Sequence, residues 1–179
     1  MVSEGAAALV LASREFTQAH GLTAHAELVG VGMTSDAYHF VAPHGPTVTA
    51  AMQQAVRSAG LLPEDVGVVN AHAASTKAGD ATEVEALHQV FGDAVPPVTA
   101  NKSQLGHAMG GASAIEAVLC IIGLQRGAVL PTINHQPDPD SALPDLVTET
   151  RALPHEHVLS NAFGFGGCNC CLLLRGVSA

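Results

Sequence analysis

The sequence predicts an α/β fold: a mixed, mostly parallel sheet with helices on both faces. Three observations carry that reading. Apolar stretches of strand length alternate with stretches of helical period, cap and turn residues separate them, and the apolar content is small and aliphatic. Hydrophobic residues make up 47% of the 179, with one Tyr and no Trp. Ala, Val and Leu suit helices packed tightly on a buried sheet. The length gives room for one domain, or for part of a larger one, with a real core.

The elements follow in order. Residues 4–13, EGAAALVLAS, form a continuous apolar run of strand length, and AHAELVGVGM (24–33) forms a second, with a helical turn or loop, REFTQAHGL, between them. PTVTAAMQQAVRSAG (46–60) has helical periodicity through Val48, Ala51, Met52, Ala55 and Val56, and Gly60 stops it. VGVVNAH (66–72) reads as a short buried strand. In GDATEVEALHQVFGD (79–93) Asp80 and Glu83 have capping-box spacing and Gly92 closes a helix. PPVTANK (96–102) is another strand. GGASAIEAVLCIIGLQRG (110–127) is a helix apolar nearly all round, and so expected to be central and buried. A Pro- and Asp-rich loop (134–145) precedes two final strands, HVLSNAF (157–163) and CNCCLLLR (168–175). His155 and His157 read as an exposed strand edge, not a metal site.

Net charge is −9, and the seven basic residues are scattered singly. That argues against nucleic acid as a partner. Arg14, Arg57, Lys77, Arg126 and Arg151 are too dispersed to mark a basic patch for an acidic carrier protein. The best apolar run, AIEAVLCIIGL, carries Glu116 and falls short of the roughly 20 residues of a membrane span. The N-terminus lacks a basic flank and a cleavage site, so no signal peptide is read and a cytoplasmic protein is expected. The cysteines are Cys120, Cys168, Cys170 and Cys171. Zinc spacing is absent, adjacent Cys170 and Cys171 would point to opposite faces of a strand, and buried reduced thiols are the expected state. No metal or organic cofactor is indicated.

In an α/β sheet, functional groups gather past the carboxyl ends of the strands. His72 follows VGVVN, Lys102 follows PPVTAN, and Phe163–Gly167 follow HVLSNA. Glu116 is a lone carboxylate in an apolar helix, costly to bury unless paired. On residues alone, the two histidines His72 and His107 could be unrelated, Lys102 and Glu116 could face solvent, and FGFGG could be a tight turn with a core phenylalanine.

Taken together, VNAHAAST, NKSQLGHAMGGASAIEA, LPTINHQPD and SNAFGFGGCN resemble the C-terminal half of a β-ketoacyl-acyl-carrier-protein synthase, an elongating condensing enzyme of the thiolase-like fold. GVGMTSDAYHFVAP resembles that family's loop beside the active-site entrance, and the similarity runs from Ser3 to about Leu174 in consistent order. The resemblance divides the chain into residues 1–20, the end of the family's N-terminal half, and 21–179, its C-terminal half. It implies decarboxylative Claisen condensation of malonyl-carrier protein with an acyl thioester, in fatty acid or polyketide synthesis. Partners would be acyl and malonyl thioesters of acyl carrier protein, and the chain would form a homodimer or pair with a nucleophile-bearing half.

By the same resemblance, His72 and His107 match two histidines that act as neutral Nε2–H donors to the thioester oxygen as enolate charge develops. Lys102 and Glu116 would orient them. The backbone N–H of Phe165 would serve a second oxyanion hole between Gly164 and Gly166, and its ring would gate the acyl pocket. Thr76 would bind the pantetheine arm, Asp36 and His39 would shape the entrance loop, and Asn169 would hold the turn.

Three departures accompany the likeness. The family's nucleophilic cysteine stands at a helix start in the N-terminal half, and none of the four cysteines here fits it. Ala73-Ala74 stand where the family reads Gly-Thr, and Val41 and Ala42 replace polar residues. A condensing enzyme whose nucleophile comes from another segment, a non-catalytic subunit of a heterodimeric ketosynthase, and an inactive fragment therefore all remain open at this stage.

Overall fold

The computed structural model describes residues 1–139 and 142–177, so Asp140 and Ser141 of the Pro/Asp-rich loop and the last two residues lie outside it. The elements are α1 (Arg14–Ala19), β1 (Ala26–Ser35), α2 (Gly45–Ser58), β2 (Val68–Asn70), α3 (Lys77–Phe91), β3 (Val98–Thr99), α4 (Lys102–Leu105), α5 (Ala112–Arg126), β4 (Ala128–Val129), β5 (Arg151–Ala152), β6 (His157–Gly164) and β7 (Cys168–Gly176). The main sheet has the order β1-β7-β6-β2-β3, and β4 pairs with β5 in a small separate ladder. β6, β2 and β3 are parallel, whereas β7 runs antiparallel to both neighbours. Four of the five strands therefore share one direction, as the α/β reading expects.

One face of this sheet is covered by α2 and α3. The five apolar positions that the period picks out in α2 are all buried, together with Leu87 of α3 and Leu159, Cys171 and Leu173 of the strands. The contact with β1 is close enough to require glycine there. A Cβ on Gly32 would lie 1.9 Å from the Ala51 carbonyl oxygen, which explains the small residues of GVGM. Gly60 follows the α2 cap in the left-handed region, as the stop signal requires.

The opposite face carries α5 over Val68, Val158 and Leu174. Here four expectations need correction. Residues 4–13 form no strand. Only the segment ahead of them pairs, through Val2 and Ser3 beside His107, so Val10 is 99% exposed. α5 is not buried all round: Ala112, Glu116, Ala117, Cys120 and Leu124 are, whereas Ile122 is 44% exposed. α3 starts earlier than the capping box implied, with Thr76 as its cap, and Glu83 lies inside it. His157 is not at an exposed edge. It is buried at the start of β6, with Nδ1 3.1 Å from the Asp65 carbonyl oxygen.

Together with the preceding 3-10 turn, Met109–Arg126 is apolar and long enough by composition to cross a membrane. α5 itself spans 15 residues, about 22 Å, against roughly 30 Å of hydrocarbon, and holds an ion-paired glutamate. A core helix with one uncovered side accounts for it better.

Candidate active site

Because β2, β3 and β6 are parallel, their carboxyl ends open on one edge, and the chain leaving each carries one part of the site. His72 comes two residues after β2, Lys102 begins α4 just after β3, and Phe163 and Gly164 end β6. His107 follows α4 in a glycine-bounded turn, and Glu116 faces inward from α5.

Lys102 is buried and ties three elements together. Its ammonium donates to both carboxylate oxygens of Glu116 at 2.8 Å and to the His72 carbonyl at 2.6 Å. Charge-assisted bonds in this geometry are strong, and neither ion would be tolerated there alone. Burial pushes the Glu116 carboxyl up to about 7 even though Lys102 pulls it down.

Glu83 is the residue that sequence reasoning missed. It projects from α3 into the interior, where one oxygen accepts the His72 N–H and the other the Ala73 N–H, both at 2.9 Å. Asn161 of β6 donates to the first oxygen at 3.0 Å. Burial holds this carboxyl above its ordinary range, against the pull of those donors and of Lys102. A signal existed: Glu83 lies on the same helical stripe as buried Ala86, Leu87 and Val90, where a solvated glutamate does not belong. His72 is thus fixed through both backbone polar groups, its N–H by Glu83 and its carbonyl by Lys102.

The His72 and His107 rings meet edge to face with centroids 5.6 Å apart. Both are neutral. Burial, then Lys102 and His107, hold the His72 imidazole down to about 3. Burial, Lys102 and the amino terminus likewise lower His107. The Met109 N–H donates to His107 Nδ1 at 3.2 Å, which leaves the proton on Nε2. The backbone of His107 is held by Met1 and Ser3, bonded to its N–H and carbonyl respectively. Beneath the histidines a polar relay crosses the strand ends: Asn101 donates to Asn70 at 2.8 Å and Asn70 donates to Ser160 at 3.1 Å.

The ring packed on His72 is that of Phe163, at 5.4 Å. Phe165, singled out from the sequence, is exposed and stacks on Phe40 of the entrance loop at 5.5 Å. Gly166 and Gly167 take left-handed conformations, and a Cβ on Gly167 would lie 2.4 Å from the Asp36 side chain. Asp36 secures this turn. Its N–H donates to the Gly167 carbonyl, and its carboxylate accepts from Asn169 at 2.6 Å, from the Thr47 hydroxyl and from the His44 N–H. His39 Nδ1 accepts the Val41 and Ala42 N–H groups, so it orders the same loop. Thr76 caps α3 by accepting the Gly79 N–H at 3.2 Å, and is exposed. Ala73, where the resemblance reads Gly, has φ 35°, a left-handed value that glycine adopts at lower cost.

None of the four cysteines stands at a helix start. Cys120 lies within α5, its thiol pushed up to about 12 by burial, and the other three lie on β7. Among the described residues no group of three His, Cys, Asp or Glu side chains could hold a metal ion.

With this geometry in place, comparison with known proteins is specific. The family described as "Beta-ketoacyl synthase, C-terminal domain" matches residues 25–136. The 3-oxoacyl-[acyl-carrier-protein] synthase 2 of Staphylococcus aureus (strain COL) is 40% identical over 184 residues, covering 100% of this chain and 44% of that protein. Nodulation protein E of Rhizobium meliloti is 41% identical over 182 residues, covering 99% and 45%. The solved ishigamide ketosynthase/chain length factor superposes with a TM-score of 0.95 at 39% identity, covering 99% of this chain and 44% of that one. The chain thus spans less than half the length of the curated relatives it matches.

Proposed function

The chain belongs to the β-ketoacyl synthase family, corresponding to the C-terminal part of its relatives, and we propose that it forms the histidine-bearing wall of a condensing enzyme. The reaction is decarboxylative condensation of malonyl-carrier protein with an acyl thioester. The observation that carries this reading is the pair of neutral imidazoles 5.6 Å apart, one of them fixed through both its backbone groups.

Decarboxylation leaves an enolate whose negative charge gathers on the malonyl thioester oxygen. Donors already in place at that oxygen stabilise the transition state without reorganising. His107, protonated on Nε2, is one such donor, and His72 beside it is the second. A charged imidazolium would bind the substrate carboxylate and oppose its loss as carbon dioxide, so the low basicity of both rings serves the step. Lys102, Glu116 and Glu83 act by position. Lys102 and Glu83 hold the His72 backbone, Glu116 pairs with Lys102, and the Lys102 charge adds to burial in keeping both rings unprotonated. The enolate carbon then attacks the acyl thioester, and the oxyanion formed is received by the Phe165 N–H in the turn between Gly164 and Gly166. Its collapse breaks the carbon–sulfur bond and returns the nucleophile as a thiolate. Thr76 receives the pantetheine arm, and Asp36 and His39 shape its entrance.

The acyl group needs a thiolate nucleophile that the four cysteines do not supply, so the reading includes a second, nucleophile-bearing segment or chain. Residues 1–20 belong to that half in this proposal, and 21–179 to the histidine half. The exposed apolar side chains of 9–22 and the outer side of α5 support the pairing. A cytoplasmic assembly, homodimeric as a whole, is proposed with it.

Carbon dioxide release from malonyl-carrier protein tests the reading, with this chain mixed with the N-terminal half of a relative. Release that His72→Ala or His107→Ala reduces by about 100-fold or more is expected. Release that survives both substitutions, or none in any mixture, would contradict it and leave a non-catalytic subunit.

A further inference from the structure

β1 and β3 are the outer strands of the main sheet, and an outer strand offers a row of N–H and C=O groups with which another chain can pair. Here both rows are occupied from within. On β1 the N–H groups of Val31 and Met33 turn away from β7 and are accepted by side chains of α2. Ser58 Oγ takes the first and Gln54 Oε1 the second, each at 2.9 Å. The Ser58 hydroxyl also reaches the Val31 carbonyl at 3.1 Å, sharing its proton with the Ala55 carbonyl at 2.9 Å. The register with β7 skips Val29, so a bulge breaks the edge just before these two residues. At the other edge, Val98 donates to the Asp145 carbonyl and accepts the Val147 N–H, both at 2.9 Å, in a parallel bridge with Leu146. That segment is itself tied down: Val147 is fully buried, and its carbonyl accepts the Thr132 N–H at 2.7 Å.

We propose that the sheet is sealed against strand addition at both edges, so that no second copy of this chain extends it. The β1 seal follows from a match of two repeats. Gln54 and Ser58 are four apart on a helix, a rise of about 6 Å. Met33 and Val31 are two apart on a strand, a rise of about 6.6–6.8 Å. Helix and strand run in opposite directions, so one pair of side chains meets one pair of outward N–H groups in order. The glycines of β1 make this possible. A Cβ on Gly30 would lie 2.2 Å from the Ala55 carbonyl oxygen, so only a bare strand lets α2 sit low enough to reach over the edge. The caps come from α2, on the face that this chain completes by itself. An unpaired N–H on an edge gains a hydrogen bond by recruiting a strand, whereas one already bonded gains nothing. A homodimer of this chain therefore forms through a contact other than a continuous sheet, whatever reaction the strand ends serve.

The test is amide hydrogen exchange of the full chain, followed residue by residue by NMR on serial dilution. The N–H groups of Val31, Met33, Val98 and Val147 should be protected to the same degree at every concentration, because their partners lie within the molecule. Ser58→Ala should speed exchange at Val31 by about 5-fold and leave Met33 unchanged, and Gln54→Ala should do the reverse. Protection at any of the four that falls on dilution would show that a second copy supplies the partner. That result, or protection at Val31 and Met33 that survives removal of both caps, would overturn the proposal.

Discussion

The two faces of the sheet use similar apolar residues differently. On one, α2 has a polar side and an apolar side, and its apolar side is completely covered. On the other, α5 has almost no polar side, and one flank, with Ile122, lies open. A one-sided helix completes its layer within this chain. A helix apolar all round asks for a layer on each side, and this chain supplies one. The buried polar network draws one carboxylate from each face, Glu116 from α5 and Glu83 from α3, so its support comes from charge pairing and hydrogen bonds more than from depth of packing.

Breaking that network should produce the largest effect. Lys102→Met leaves Glu116 buried without its partner and should cost about 3–5 kcal/mol at pH 8, measured by urea unfolding. The cost should shrink as pH falls through about 7, because Glu116 takes up a proton there and does so more readily once Lys102 is gone. Adding Glu116→Leu should restore most of the loss. A double variant no more stable than the single one would deny that the two groups act as a pair.

Substitutions on the two helices sharpen the contrast. Met52→Ala on α2 opens a cavity in a closed core and should cost about 3 kcal/mol, whereas Ile122→Ser on the open side of α5 should cost under about 0.5 kcal/mol. Equal costs would erase the distinction between the faces.

Two pH dependences of opposite sign come next. The Glu116 carboxyl is raised from 4.5 to about 7 by folding, so its contribution to stability falls as pH rises through that window. His72 is lowered from 6.5 to about 3, so its contribution falls as pH drops from 6.5 towards 3. The two oppose each other between about 4.5 and 6.5. Glu116→Gln should leave a stability that decreases with acid across that range, and His72→Gln one that increases. Parallel slopes in the two variants would contradict the assignment. The smallest effect belongs to Ala73→Gly, which should relieve the left-handed backbone and gain about 0.5 kcal/mol by thermal unfolding, a net of lower strain and greater chain entropy.

Much of this organisation was legible in the residues. The period of α2, its stop at Gly60, and the alignment of His72, Lys102 and the FGFGG turn past three strand ends all emerge from spacing. Glu116 was legible because an unpaired carboxylate in an apolar helix demands a partner. Glu83 was not, because its spacing from Asp80 imitates a helix cap and hides its place on the buried stripe. Residues 4–13 misled for a different reason. Apolar content can mark a strand, but a strand exists only where another strand takes its hydrogen bonds, and sequence gives no count of neighbours. Phe163 is near the end of β6 and Phe165 is in the turn that follows, so only the fold shows which ring meets His72.

The central claim is that two neutral imidazoles are held in place by buried charge. Long-range ¹⁵N–¹H correlation of the histidine rings, followed from pH 8 to pH 4, tests it most directly. His107 is expected in the Nε2–H form at neutral pH, with a midpoint below 6.5, and His72 should remain neutral down to pH 4. A His72 ring that protonates near pH 6.5, or a His107 ring carrying its proton on Nδ1, would contradict it.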